Sequence, residues 1–205
     1  WLKQVAQTNF FMSSMDVINH STVIFHGSNG KQLLSTNGGA SWQESNFANT
    51  TSYIIKTKFV SSTTGWILGA GNLLLKTNNG GATWQQFSTG NLPQTQFNTL
   101  LPIDENNIWI RVSSSYYRTL DGGSTWQLVG TPESMSGNTF DCFVLDANSA
   151  YAAGLHLTKT INGGTNWISN STTNWNVFYG DIHFVNSSTG FVINNSSLLK
   201  TTDEG

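Results

Sequence analysis

From Lys58 to Phe87 the chain reads KFVSSTTGWILGAGNLLLKTNNGGATWQQF, short apolar runs separated by clusters of turn-forming residues. Phe59 and Val60 end one run, SSTT forms a turn cluster, and GWILG makes a second run that closes at Gly69. LLLKT is the third run, and TWQQF follows NNGG as the fourth. Runs of about four to six residues bounded by Gly, Asn, Ser and Thr predict β-strands, and no long window carries apolar positions at helical spacing. The pattern predicts four strands joined by tight turns, an antiparallel sheet and not a βαβ unit.

The layout recurs along the whole chain. STNGGASW ends at Trp42, TNNGGATW at Trp84, TLDGGSTW at Trp126 and TINGGTNW at Trp167, and a fifth copy, KTTDEG, runs to Gly205. Counted from Ser35, Thr77, Thr119, Thr160 and Thr201, the steps are 42, 42, 41 and 41 residues. A regular period of this length marks an array of similar units. A four-stranded sheet of about 40 residues cannot bury both faces alone, and radial stacking into a β-propeller lets copies cover one another while leaving short, protected edges. The expected fold is all-β: a propeller of four-stranded antiparallel blades, residues 1–205 forming one domain of five repeats. Trp1 falls in phase with the box tryptophans, so WLKQVA is expected to supply the fourth strand of the last blade and close five blades. The alternative is five units of a larger array, such as seven blades. An opening residue other than Met points to a piece of a longer product, with room for further domains.

The consensus [S/T]x[D/N]GGx[S/T]W resembles the Asp-box, or BNR repeat, and GW…G…LLKTxxGGxTW is similar to photosystem II assembly and stability factor-like propellers. Related boxes occur in sialidases, sortilin-type receptors and xyloglucanases, so the resemblance implies a fold and leaves the activity open. The residues explain the box without a ligand. The third position, Asn37, Asn79, Asp121, Asn162 and Asp203, offers a side-chain oxygen to nearby backbone N–H groups, as Asx-turns do. Paired glycines such as Gly80 and Gly81 accept positive φ where the hairpin reverses. Trp42, Trp84, Trp126 and Trp167 cover the turn with a large ring. Asn in three of five copies weakens any calcium reading, and no metal or cofactor is expected. Asn166 and Glu204 break the pattern, replacing Ser or Thr and the first Gly.

Composition narrows the function classes. Charged residues make up 10% of the chain and the net charge is −2, which disfavours nucleic-acid partners. No apolar run approaches the ~20 residues of a membrane span, so insertion is not expected. The single cysteine, Cys142, sits among apolar neighbours and is expected as a small buried hydrophobe. Few charges with abundant Asn, Ser and Thr suggest a secreted, cell-surface or periplasmic protein, and the Asn49 and Asn170 sequons suit surface loops.

Catalysis finds little footing. The sialidase resemblance implies an arginine triad, and only Arg111 and Arg118 are present. His20, His26, His156 and His183 show no metal-ligand spacing. Glycoside hydrolysis needs two suitably spaced carboxylates. Asp104, Glu105 and Asp146 fall in turn clusters, and Asp181 alone is expected near an inner strand. The photosystem assembly branch implies a basic patch, which Arg111 and Arg118 hardly supply. The expected function is therefore a non-catalytic extracellular or cell-envelope binding and scaffold module recognising a protein or glycan, with a carbohydrate-active enzyme as the alternative.

Box loops should share one end of each blade with the loops joining first and second strands. The opposite end collects inter-blade connections and the hairpins between second and third strands, and such loops carry function. Candidate ligand-binding residues there are Asn46, Phe47, Tyr53, Gln94, Phe97, Trp175, Asn176 and Tyr179, with His26, His156 and Asn195 as weaker ones. Aromatic faces stack on a ligand while amides bond to it. Packing between blades is the competing role for each aromatic.

Overall fold

In a computed structural model, the structure describes residues 8–87, 89–113, 115–129, 141–154, 156–169, 179–194 and 196–205. Five antiparallel sheets form among them, in chain order. The first contains β1 (Met12–Val17), β2 (Val23–Gly27), β3 (Lys31–Ser35) and β4 (Gln43–Asn46). The second contains β5 (Ile54–Phe59), β6 (Gly65–Gly69), β7 (Leu73–Thr77) and β8 (Gln85–Gln86). The third is built from β9 (Phe97–Pro102), β10 (Ile108–Val112), β11 (Ser115–Thr119) and β12 (Gln127–Leu128). The fourth has β13 (Asp141–Val144), β14 (Ala150–Ala153), β15 (Leu157–Thr160) and β16 (Ile168–Ser169), and the fifth has β17 (Tyr179–Phe184), β18 (Gly190–Asn194) and β19 (Leu198–Thr201). Each strand is hydrogen-bonded to its sequence neighbour, the meander that tight turns enforce.

The predicted strands are present, with one quantitative difference. Expected fourth strands of about four to six residues shrink to two residues in β8, β12 and β16, all exposed. Their side chains lie at the sheet margin, where burial contributes little to holding extended pairing beyond the box. The strand expected from WLKQVA lies outside the described residues.

The residues divide into two compact units, Trp1–Ser113 with Thr119–Trp126, and Ser114–Arg118 with Gln127–Gly205. In the first, β6 is buried along its entire length, and Trp66, Ile67 and Leu68 are fully enclosed. Central strands covered on both faces lose polar alternation, which is why GWILG reads as a continuous apolar run. First strands of successive sheets are tied by side chains reaching backbone N–H groups. Ser14 Oγ accepts from Thr57 N–H at 2.7 Å and Asp16 Oδ2 from Phe59 N–H at 2.6 Å. In the second unit Asp141 Oδ2 accepts from Ile182 N–H at 3.2 Å, Tyr151 stacks on Phe184 at 3.8 Å, and Cys142 is buried as expected.

Candidate functional site

At one end of every sheet the box turn is bonded to the turn between first and second strands. The N–H groups of Gly38, Gly80, Gly122, Gly163 and Glu204 donate to the carbonyls of Ser21, Thr63, Asn106, Asn148 and Ser188. The expected Asx bonds are present: Oδ1 of Asn37, Asn79, Asp121 and Asn162 accepts the N–H of Ser41, Thr83, Thr125 and Asn166, each at 2.9 Å. Asn166 therefore fits the box despite lacking a hydroxyl, because the contact uses its backbone. Glu204 occupies a glycine position with φ of 70°, the left-handed region where a side chain is disfavoured. In Asp203 the oxygen accepts the Thr201 hydroxyl at 2.6 Å.

The opening hydroxyl does more than was expected of it. Thr77 Oγ1 donates to Asn79 Oδ1 at 2.9 Å and accepts the Gly81 N–H at 3.0 Å. Thr119 does the same with Asp121 and Gly123. These hydroxyls are almost wholly buried, so each satisfies a backbone donor that water cannot reach. Asp121 is held well below the usual carboxylate range, first by the Thr125 hydroxyl, then by the Thr125 N–H and the Thr119 hydroxyl. These bonds close the box as a hydrogen-bonded turn.

The carboxylates considered for catalysis serve turns as well. Asp104 Oδ1 accepts N–H bonds from Asn106 and Asn107, both at 2.8 Å. Those bonds lower its pKa against an opposing desolvation effect, the largest single contribution. Asp146 Oδ1 binds the N–H groups of Asn148 and Ser149 in the same way, and Glu105 accepts the Thr64 hydroxyl at 2.7 Å. Asp181 lies on β17 and is exposed. Among the described residues no three His, Cys, Asp or Glu side chains group as a metal site, and no helix is long and apolar enough to cross a membrane.

The opposite end of the first unit offers a different chemistry. The hairpin of each sheet is bonded to the connection that enters its first strand: Ser28 N–H to Phe11 O, Ala70 N–H to Tyr53 O, and Ser113 N–H to Gln96 O. Phe11 and Tyr53 thus hold the same place in successive repeats. Because Ser14 meets Thr57 and Asp16 meets Phe59, β1 and β5 run in the same sense and both aromatics emerge at one end. Phe11 is 67% and Tyr53 54% exposed, although large apolar rings favour burial. Asn29, Asn46, Gln94 and Gln96 are exposed around this end. The Gln94 amide donates to Thr89 Oγ1 at 3.0 Å and Leu92 O at 3.2 Å within its own loop.

The other candidates fall differently. Phe47 packs with Ile54, Ile67 and Leu75 in the core, and Phe97 is 1% exposed at the start of β9. Both rings are turned away from solvent. His26, expected on a hairpin surface, is fully enclosed, with its Nδ1 2.9 Å from Thr57 Oγ1 and its ring edge-on to Phe47 and Trp84. Burial pushes the His26 imidazole down to about 3, outweighing the Gln32 side chain beside it. His156 is half-buried. Tyr179 opens β17, and Trp175, Asn176 and Asn195 lie outside the described residues. Sequence reasoning missed Phe11, and the signal available was its place one repeat before Tyr53.

The sequence profile of a family described as photosynthesis system II assembly factor YCF48 matches residues 1–129 and 41–176. No curated protein matches the chain in sequence. Among solved structures, YCF48 bound to D1 peptide is similar over 98% of this chain and 95% of that one, at 14% identity and a TM-score of 0.55. The WD40 β-propeller domain of Doa1 aligns over 96% of this chain and 66% of its own, at 11% identity and 0.67. A GH74 xyloglucanase from Xanthomonas campestris aligns over 93% and 36%, at 10% identity and 0.66. Likeness at such low identity carries the fold, a β-propeller, and not the chemistry.

Proposed function

The chain belongs to the photosynthesis system II assembly factor YCF48 family, and from that premise we propose that it is a non-catalytic scaffold binding an extended segment of a protein partner. The same membership corrects the location expected from composition. A family of photosystem assembly factors is not one of secreted, cell-surface or periplasmic proteins, and a low charge content with many Asn, Ser and Thr residues reflects turn-rich sheets instead.

The observation that carries the proposal is the pair of exposed rings, Phe11 and Tyr53, repeated one sheet apart at the hairpin end of the first unit. Rings there lie against apolar side chains of a bound segment, while the amides of Asn29, Asn46 and Gln96 bond its backbone. The similar structure with a bound peptide supports this reading by analogy. The contact is apolar and amide-based. Arg118 Nη1 donates to Ala147 O at 3.1 Å and Arg111 Nε to Ser113 O at 3.1 Å, so both arginines are engaged by the fold. The glycoside-hydrolase alternative is less favoured because Asp104 and Asp146 already accept two turn N–H bonds each.

The test is a fluorescence titration with the D1 peptide named in that similar structure. The unmodified protein is expected to bind, and Phe11→Ala with Tyr53→Ala to weaken binding by at least about tenfold, the effect of losing roughly 1.4 kcal/mol. Both positions are exposed, so far-UV circular dichroism should be unchanged. Equal affinity in the double variant would overturn this placement of the site.

A further inference from the structure

His26 takes the place in β2 that Leu68 holds in β6. Val23 pairs with Ser35 and Gly65 with Thr77, and three residues further on stand His26 and Leu68, both fully buried. Leucine is at home in such a place, whereas an imidazole loses its hydration there and must find hydrogen bonds within the fold.

Its surroundings come from the first and second sheets together. Phe47 and Trp84 meet the ring edge-on, with centroids 4.7 and 5.2 Å away. Thr57 Oγ1 on β5 lies 2.9 Å from Nδ1. Nε2 has no hydrogen-bond partner among the described residues. Gln32, beside it, donates through its own Nε2 to Ser45 Oγ and Gly81 O, and its Oε1 accepts from Trp84 Nε1. Charged groups on the packed strands are Asp16 on β1, Lys31 on β3, Glu44 on β4, and Lys56 and Lys58 on β5. Asp16 is paired with Lys58 and Lys31 with Glu44, and Lys56, next to Thr57, stands on the other face of β5. The box turn before Trp84 and the connection that holds Phe47 carry no charge.

We propose that His26 is a pH-sensitive latch: neutral, it lets the first two sheets close on one another, and its protonation opens the joint between them. An imidazolium has two N–H donors. Thr57 Oγ1 accepts one, the second has no acceptor, and the carboxylate on the same face, Asp16, is already paired, so the added charge is stable only where water reaches the ring. Burial keeps the proton off in the closed joint, pushing the His26 pKa down to about 3, while an opened ring titrates near the ordinary value of about 6.5. Closure is therefore fully favoured above the opened value and is progressively lost as pH falls below it. The bonds released with the joint are those between β1 and β5, from Thr57 N–H to Ser14 and from Phe59 N–H to Asp16.

Hydrogen exchange of the full chain, with no ligand added, tests this at the N–H groups of Thr57 and Phe59. Between pH 7 and pH 5 their protection factors, corrected for the intrinsic exchange rate, should fall by about tenfold or more, the linkage expected of one histidine. Amides of β10, in a sheet whose residues include no histidine, should change by less than about twofold, since the opening is local. His26→Gln should abolish the fall at Thr57 and Phe59, and so should His26→Leu, which copies the residue in the matching place of β6. His20→Gln, at an exposed turn position, should keep it. Protection at Thr57 and Phe59 that is independent of pH, that falls equally in β10, or that still falls in the His26 variants would each overturn the inference.

Discussion

At the scale of single residues, the box tolerates Asp and Asn because one acceptor oxygen does the essential work. In the second box, Asn79 Oδ1 takes the Thr83 N–H and its Nδ2 donates to the Thr83 hydroxyl at 2.8 Å. In the third, Asp121 cannot donate, and the Thr125 hydroxyl turns to donate to Oδ2 at 2.6 Å. The carboxylate alone makes its box sensitive to acid. Its folded pKa lies below the ordinary 3.8, so its stabilisation is present above the unfolded value and is lost as pH falls through the folded one. Asp121→Asn should leave the midpoint of urea unfolding near neutral pH almost unchanged and reduce the loss of stability between about pH 4 and pH 2. Parallel pH dependence in both proteins would contradict this account.

At the scale of the element, the box is a hydroxyl-centred turn. The pattern of apolar runs and turn residues in the sequence places the Asx oxygen and the glycines, because their bonds span two to four residues. The buried bridge made by Thr77 is also local, yet its weight depends on burial: Thr77 is 1% exposed. Thr77→Val keeps the shape and removes the hydroxyl's bonds to Asn79 and Gly81, leaving the Gly81 N–H without its acceptor. The expected cost is about 1–3 kcal/mol, read from the urea midpoint. Thr77→Ser should recover most of it, a comparison that separates hydroxyl chemistry from packing. Similar costs for the two substitutions would show that shape, not the hydroxyl, matters.

At the scale of the whole molecule, cations are used in construction. Lys58 pairs with Asp16, Lys31 with Glu44 and Lys159 with Glu204, and Lys76 lies over Trp66. The basic patch implied by the photosystem branch of the resemblance is therefore not what the proposed site uses. Raising ionic strength from about 0.1 M to 1 M shortens electrostatic screening from about 10 Å to 3 Å. If rings and amides hold the peptide, its Kd should change by less than about twofold across that range. A tenfold weakening with salt would point to ionic contacts elsewhere on the surface.

The sequence by itself determined the repeat step, the strand order and the turn chemistry, since these rest on bonds between residues a few positions apart and on apolar runs that recur in register. It also suggested Tyr53 as a surface aromatic, but Phe11, one repeat earlier, went unnoticed although the period pointed to it. It could not separate Tyr53 from Phe47 and Phe97, because an aromatic beside polar loop residues looks alike whether its ring turns outward or into the core. Tertiary structure decided that, and decided it again for His26, expected on a hairpin surface and fully enclosed. Burial belongs to a side chain and its neighbours together, and in this fold neighbours come from the next sheet, 45 residues along the chain for Lys159 and Glu204 and 49 for Gln32 and Gly81.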